Sequence, residues 1–468
     1  MKTLGMMFVG LLACFGLAQG GVPADWPDPF KLQFQRLQPT AIQPTRVQLS
    51  NGVTVLLIED RTLPFVTGRI YLRAGSIYEP AEKAGMSGIF SSVMRTGGAG
   101  NRSADQIDET LETLAATVSV NTDNLFTSVA FNTLTENLDQ VLSIWADVLI
   151  RPSFAQQRLD LEKGRALEAI RRRNDQPTQI AVREFLRRIN EGHPSGLVSS
   201  AASIQSITRD DLVAFHQRFF KPNVAVMAVT GDFNTQEMTA KLERALQGWQ
   251  RGEVTLPTFT PPRPRPNIYF VQKETNQSVI YMGNPTVTAY AGGYSELDLV
   301  SRVLGDGFNS RLFVEVRTKR GLAYATGGAQ TQGFGWPGFI YGVSISRVEK
   351  TAEVIEIMLQ QFRDLQSRPV SQEELELFRN NILNAEVFRF TSKQAVAERI
   401  ARTQMLGLPA DYYEQYVRQI QAATPADLQR VMQQYVRPEQ FVIVVVGDQR
   451  QFDKPLSSLG NVIEVPLE

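Results

Sequence analysis

The strongest constraint on this chain is that it repeats itself. Two strand-like runs end in Gly-Asp: VAVMAVTGD closes at Gly231-Asp232, and QFVIVVVGD closes at Gly447-Asp448. The two glycines lie 216 residues apart (447 − 231). The same offset carries Thr208, Asp211 and Leu212 of ITRDDLVAFHQRFF onto Thr424, Asp427 and Leu428 of ATPADLQRVMQQYV, and Phe219 onto Tyr435. Further upstream, Arg151-Pro152 answers to Arg368-Pro369 at an offset of 217 (368 − 151). One matched strand would be chance, but several features in order at a nearly constant offset mean a duplicated unit. The chain must therefore fold as two copies of one plan.

A stretch rich in proline separates the copies, with Pro257, Pro261, Pro262, Pro264 and Pro266 in LPTFTPPRPRPN. Such a segment is stiff and extended, a spacer rather than an element. The first half is expected over residues 43–250, the spacer over 251–267 and the second half over 268–468. Within a half the periodicities mix. TVLLIED and GRIYLRAG alternate as strands, and TVSVNTD and LFTSVAFNTL read as a meander. SADQIDETLETLAA reads as a helix capped by Ser103, and ENLDQVLSIWADVLI has apolar residues at helical spacing. Adjacent strands followed by gathered helices predict an α+β fold. It comprises two homologous halves, each a mostly antiparallel sheet covered by helices on one side.

The N-terminus, MKTLGMMFVGLLACFGLAQGG, has a basic start and an apolar run from Leu4 to Ala18, too short to span a bilayer comfortably. It reads as a signal peptide over residues 1–20, which makes the protein exported, periplasmic or secreted. Leu11-Leu12-Ala13-Cys14 also resembles a lipobox, so a lipid anchor through Cys14 is the alternative. No other segment is apolar and long enough for a transmembrane helix.

Composition narrows the chemistry. Lys+Arg and Asp+Glu both number 48, so no polyanion-binding field exists and no nucleic-acid partner is expected. The single Cys excludes an internal disulfide and Cys-rich zinc modules. Only two His are present, so no site built from several imidazoles is available. His193 lies in the turn-like EGHPSG and reads as a surface-turn residue. His216 lies in VAFHQRFF and reads as a helix-face residue. Their spacing does not suit a metal site.

The segments AEKAGMSGIFSSVMRTGG and FNSRLFVEVRTKRGLAY, with the two KPN/RPE-to-GD strands, resemble the pitrilysin or insulinase-like zinc peptidases, in the branch of the mitochondrial processing peptidases. The resemblance spans essentially the whole mature chain. Active members carry H-x-x-E-H on the first long helix, with two His on zinc and the Glu as general base. Here Gly88, Ser91 and Ser92 stand at those three positions. Glu162 and Glu168 lie in the region of the family's third ligand, but one carboxylate cannot hold zinc. The resemblance therefore implies no metal and no cofactor in this chain. Ser91 and Ser92 follow no G-x-S-x-G elbow, which argues against serine chemistry.

In the second half, Asn309-Ser310-Arg311-Leu312-Phe313 opens a helix that carries Arg317 and breaks at Gly321, and Leu322-Ala323-Tyr324 begins a strand. Arg317 and Tyr324 can thus converge from different elements on one cavity. The arrangement is similar to the family's Arg/Tyr pair, in which the tyrosine stabilises an oxyanion and the arginine grips a substrate carbonyl or carboxylate. A plainer reading is a helix-terminal cation and a packing tyrosine. The resemblance implies a non-catalytic subunit, inactive alone, that pairs as a heterodimer with a zinc-bearing subunit of the same family. The substrates are peptides that augment a sheet edge. The alternative is a structural or binding homologue with no role in proteolysis. The aromatic-glycine stretch from Gly333 to Phe339 reads as a turn, with a substrate-channel wall as the alternative. The charged stretch from Glu162 to Arg173 reads as a solvated helix face.

Overall fold

The computed structural model describes residues 42–388 and 392–467. The signal-peptide reading over 1–20 and the lipid-anchor alternative at Cys14 fall outside the described residues.

Twelve strands among the described residues make two sheets. The first contains β1 (Thr45–Gln48), β2 (Thr54–Glu59), β3 (Phe65–Leu72), β4 (Thr117–Thr122), β5 (Thr127–Leu134) and β6 (Val226–Gly231), in the order β1-β2-β6-β3-β5-β4. The second contains β7 (Ile268–Gln272), β8 (Gln277–Pro285), β9 (Ala323–Gln330), β10 (Phe339–Arg347), β11 (Val442–Gly447) and β12 (Val462–Glu464), in the order β12-β7-β11-β8-β10-β9. The orders correspond position by position. β2 runs parallel to β6, as β7 runs parallel to β11. β3 and β8 pair antiparallel with those same closing strands. The edges differ: β1 is antiparallel to β2, whereas β12 is parallel to β7.

The repeated residues occupy equivalent places. Gly231 and Gly447 end β6 and β11. Thr208 and Thr424 each cap a helix, Arg209–Phe219 and Pro425–Tyr435, through the same reciprocal capping box with the Asp three residues on. Leu212 and Leu428 are fully buried one turn later. Gly231 has a left-handed φ of 141°, and a Cβ there would stand 2.1 Å from the Phe65 carbonyl oxygen of the neighbouring strand. Only glycine allows that approach. Between the halves, residues 251–267 carry no regular structure.

The sheets are mostly antiparallel and helix-covered, as the strand patterns require, but they also exchange helices. Alternation divides the second sheet into two faces. Ile268, Phe270, Ile280, Met282, Ile443 and Val445 face that half's own helices. Tyr269, Val271, Val279, Val442, Val444 and Val446 face away, onto Ile180, Ala181, Phe185 and Ile189. Those four lie on the helix Pro177–Ile189, which belongs by sequence to the first half. The reverse exchange is made by the helix Lys393–Met405, which packs on β6, β2 and β3 with Ala397 and Ala401 fully buried. Arg69 of β3 holds Glu398 of that helix at 2.9 Å. Each half thus completes the core of the other. Among the described residues no helix is long and apolar enough to cross a membrane.

Candidate functional site

The helix Met86–Thr96 begins at Gly85, whose left-handed φ of 96° turns the chain into it. The Glu79 carboxylate accepts from the Gly85 and Ser87 amides at 3.0 and 2.8 Å, so it caps the helix from outside. Burial raises the Glu79 pKa and these amide bonds oppose that. Gly88 is exposed, and a Cβ placed on it would touch nothing within 4 Å. Ser91 and Ser92 are half-buried one turn on, and Ser91 Oγ donates to the Gly88 carbonyl at 3.1 Å.

Gly88 opens onto a cleft of about 500 Å³ whose opposite wall is the helix Gln156–Arg172. Glu162, Arg165 and Ala169 of that helix line it, as does Arg173 at its C-terminal cap. Their spacing puts them on one helical face. Glu162 therefore does stand across from the first degenerate position, but its carboxylate is held by Arg165 at 2.7 Å. Glu168 lies off that face and pairs with Arg171 and Arg172 at 3.1 and 2.6 Å. These residues do not fit zinc. Gly88 has no ligand atom, the serine hydroxyls are poor ligands, and the one nearby carboxylate is already neutralised. Among the described residues no group of three or more His, Cys, Asp and Glu is placed to hold a metal ion.

Gly88 is the third residue of its helix and points to open space, so a methyl group costs nothing there and limits the unfolded chain. Gly88→Ala is expected to stabilise the protein by about 0.5–1 kcal/mol. A higher denaturant midpoint with unchanged slope would bear this out. A lower midpoint would mean that the start of this helix is packed differently.

The second half brings Arg317 and Tyr324 together. Arg317 lies on the π-helical turn Phe313–Thr318, and Tyr324 is the second residue of β9. Such widened turns recur at functional sites. The Arg317 guanidinium carbon stands 5.0 Å from the Phe313 ring centre and 5.7 Å from that of Tyr324. Its cationic neighbours are spoken for: Arg311 pairs with Glu374, and Lys319 and Arg320 both pair with Glu315. Among the described residues Arg317 has no carboxylate partner, and the residue is exposed. Tyr324 is 71% exposed. The pair converges, but on open surface rather than in the enclosed cavity that the spacing suggested.

Two other expectations change. His193 is not a surface residue. It is 4% exposed, its ring lies 4.5 Å from Trp336, and its Nδ1 accepts from the Ser195 amide at 3.1 Å. The stretch from Gly333 to Phe339 is therefore more than a turn. It presses Trp336 and Phe334 onto the first-half core. His216 Nε2–H donates to the Leu149 carbonyl at 2.9 Å, and its ring stacks on Phe220.

Burial pushes both histidines down to about 4 from an ordinary 6.5. They are neutral in the fold but protonated in the unfolded chain below about 6.5. Their contribution is complete above that pH and is lost as pH falls towards about 4, at up to ~1.4 kcal/mol per pH unit per histidine. The urea midpoint should fall across that window, and His193→Gln should flatten the slope. An unchanged slope in the variant would show that His193 titrates normally.

Residues 54–196 match the family model described as Insulinase (Peptidase family M16), and residues 206–382 match that described as Peptidase M16 inactive domain. The chain is 24% identical to an uncharacterized zinc protease of Rickettsia bellii (strain RML369-C), over 72% of this chain and 81% of that protein. It is 21% identical to the non-peptidase homolog YmxG of Helicobacter pylori (strain ATCC 700392 / 26695), over 89% of this chain and 97% of that one. Among solved structures, a peptidase M16 inactive domain from Pseudomonas fluorescens superposes with a TM-score of 0.79 at 22% identity, over 88% of this chain and all of that one. At such identity the likeness shows the shared fold. The inactive-domain model and the non-peptidase homologue, taken with the degenerate helix, support a non-catalytic M16-like protein. Two adjoining models of one family, on a chain with two matching sheets, lead to one conclusion: it belongs to the insulinase-like peptidase family M16.

Proposed function

We propose that this chain is the zinc-less subunit of an exported heterodimeric peptidase. It lends the Arg317/Tyr324 pair to a zinc-bearing subunit of the same family that hydrolyses peptides. The observation that carries the reading is an exposed arginine, free of any carboxylate among the described residues and standing against an exposed tyrosine ring. A scaffold would have no need to keep that arrangement. The neighbouring Lys319 and Arg320 both pair with Glu315, whereas Arg317 pairs with no carboxylate among the described residues. The partner supplies the metal and the general base. In this chain, the Tyr324 hydroxyl donates to the oxyanion that builds on the scissile carbonyl, and the Arg317 fork holds a substrate carbonyl or carboxylate.

The test is to mix the purified chain with a zinc-bearing family member that carries H-x-x-E-H, taken from a neighbouring gene where one encodes it. Co-elution, with peptide cleavage that rises on mixing, is expected. Co-elution with unchanged cleavage would favour a structural homologue, and no association would sink the heterodimer.

A further inference from the structure

Beside the cleft at Gly88 lies a second, of about 370 Å³. The two share Arg173, Arg183, Val198 and Ser199. The second is walled by Arg173, Arg183, Arg187 and Arg188 around a single carboxylate, Glu184, which is 5% exposed. Arg183 Nε lies 3.4 Å from Glu184 Oε1, and Arg187 and Arg188 each lie 3.8 Å from Oε2. The remaining acceptors are few. Arg173 donates to the Ser199 carbonyl at 2.9 Å, and Arg183 to the Arg173 carbonyl and Asn174 Oδ1 at 3.1 and 2.8 Å. Arg188 lies over the Tyr269 ring at 4.5 Å. The Nε groups of Arg173 and Arg188 are buried and donate to no acceptor among the described residues. Burial pushes the Arg183 pKa down, and the like charges of Arg173 and Arg187 add to that against the pull of Glu184. Among the described residues, four cations share one anion here, a balance that a bound anion would correct.

The setting says what kind of anion. The arginine pocket continues into the first cleft, whose wall includes Ile89, Ile170 and Ile204. An inorganic ion would use none of that apolar surface. The chain between the clefts, residues 197–200, carries no regular structure, and among the described residues the Val198 and Ser199 amides donate to no acceptor. Free main-chain donors, an apolar wall and planar guanidinium forks together suit a peptide.

We infer that the joined clefts bind an acidic peptide segment. Its Asp or Glu carboxylates enter the pocket of Arg173, Arg183, Arg187 and Arg188, and its apolar residues lie along the wall of the former metal cleft. This deepens the peptide-handling role proposed above and rests on it. The face that catalytic relatives devote to metal would here hold substrate.

The experiment uses the purified chain alone and follows the anisotropy of a short fluorescein-labelled peptide of alternating Glu and Leu. Binding should be about tenfold or more tighter than for the same peptide with Gln in place of Glu. Arg187→Gln should weaken it several-fold, and Arg173→Gln/Arg187→Gln about tenfold. Arg187 is a safe probe because its one ion pair among the described residues is the 3.8 Å contact to Glu184. Equal affinity for the Glu and Gln peptides overturns the inference. So does a site that inorganic phosphate fills while the peptide fails to bind. Neither partner nor cleavage enters the measurement. A failed complementation therefore leaves a positive binding result standing, and failed binding beside successful complementation overturns this inference alone.

Discussion

Phe185→Ala should destabilise the protein by about 3–5 kcal/mol, the cost of emptying a well-packed aromatic site, and the loss should reach both halves. Phe185 is 1% exposed, and its ring meets Tyr281, Phe339 and Tyr341 at 5.4, 5.7 and 6.3 Å. Those three lie on β8 and β10 of the second sheet, whereas Phe185 itself precedes β6 in the first half. Its helix is the part of the first half that closes the outer face of the second sheet, so the cavity opens between the halves. Urea unfolding should show an earlier midpoint. Amide exchange should rise along β8 and β11 as well as in the helix, because strands lose protection when the layer above them loosens. A loss below about 1 kcal/mol, or faster exchange confined to the helix, would mean that the helix only decorates the second sheet.

That exchange of helices was not legible in the sequence, and the reason is physical. The spacing of Ile180, Ala181, Phe185 and Ile189 says that one face of a helix is apolar. It does not say which sheet covers that face, because apolar burial has no address. What was legible is local. The cap at Ser103 forms between residues three apart and appears as expected, and the offset that pairs Thr208 with Thr424 proves to repeat a capping box of the same kind. Strand signals are local too: β3 alternates between buried and half-buried residues, while β2, β5 and β11 are short, mostly buried runs, and each overlaps the segment that was read as a strand.

The site divides in the same way. Gly88, Ser91 and Ser92 could be placed on a helix from the sequence, and the helix Met86–Thr96 carries them. The pairing of Glu162 with Arg165 follows from their spacing of three, yet that this pair faces Gly88 depends on how two helices pack. His193 was misread because EGHPSG describes a backbone turn and is silent about Trp336, which arrives from the loop between β9 and β10. Arg173 was misread because it ends a charge run. Arg171 and Arg172 are solvated beside Glu168, but Arg173 comes one position later, on the face that turns into the cleft. The arginines that gather there come from two helices, so no contiguous motif announces them.

Tyr324→Phe separates the proposed catalytic role from packing. The variant keeps the ring that lies 5.7 Å from the Arg317 guanidinium carbon, and it removes only a hydroxyl from a side chain that is 71% exposed. No buried partner is left unpaired, so the stability of the chain should change by less than about 0.5 kcal/mol. Association with a zinc-bearing subunit should persist for the same reason. The expected effect falls on turnover alone. If the hydroxyl donates to the oxyanion, its loss costs about 10²–10³ in kcat, or roughly 3–4 kcal/mol. KM should move little, because the donor acts on charge that exists only in the transition state. Arg317→Lys provides the companion measurement. Lysine keeps the charge but cannot reproduce the planar fork, so a role in gripping substrate predicts a raised KM rather than rescue. Measuring kcat and KM for the mixed subunits, beside the yield of heterodimer, distinguishes the outcomes. An intact heterodimer with turnover reduced by two orders of magnitude assigns the hydroxyl to the reaction. An intact heterodimer with full turnover makes Tyr324 a surface residue and leaves the chain a structural member of its family.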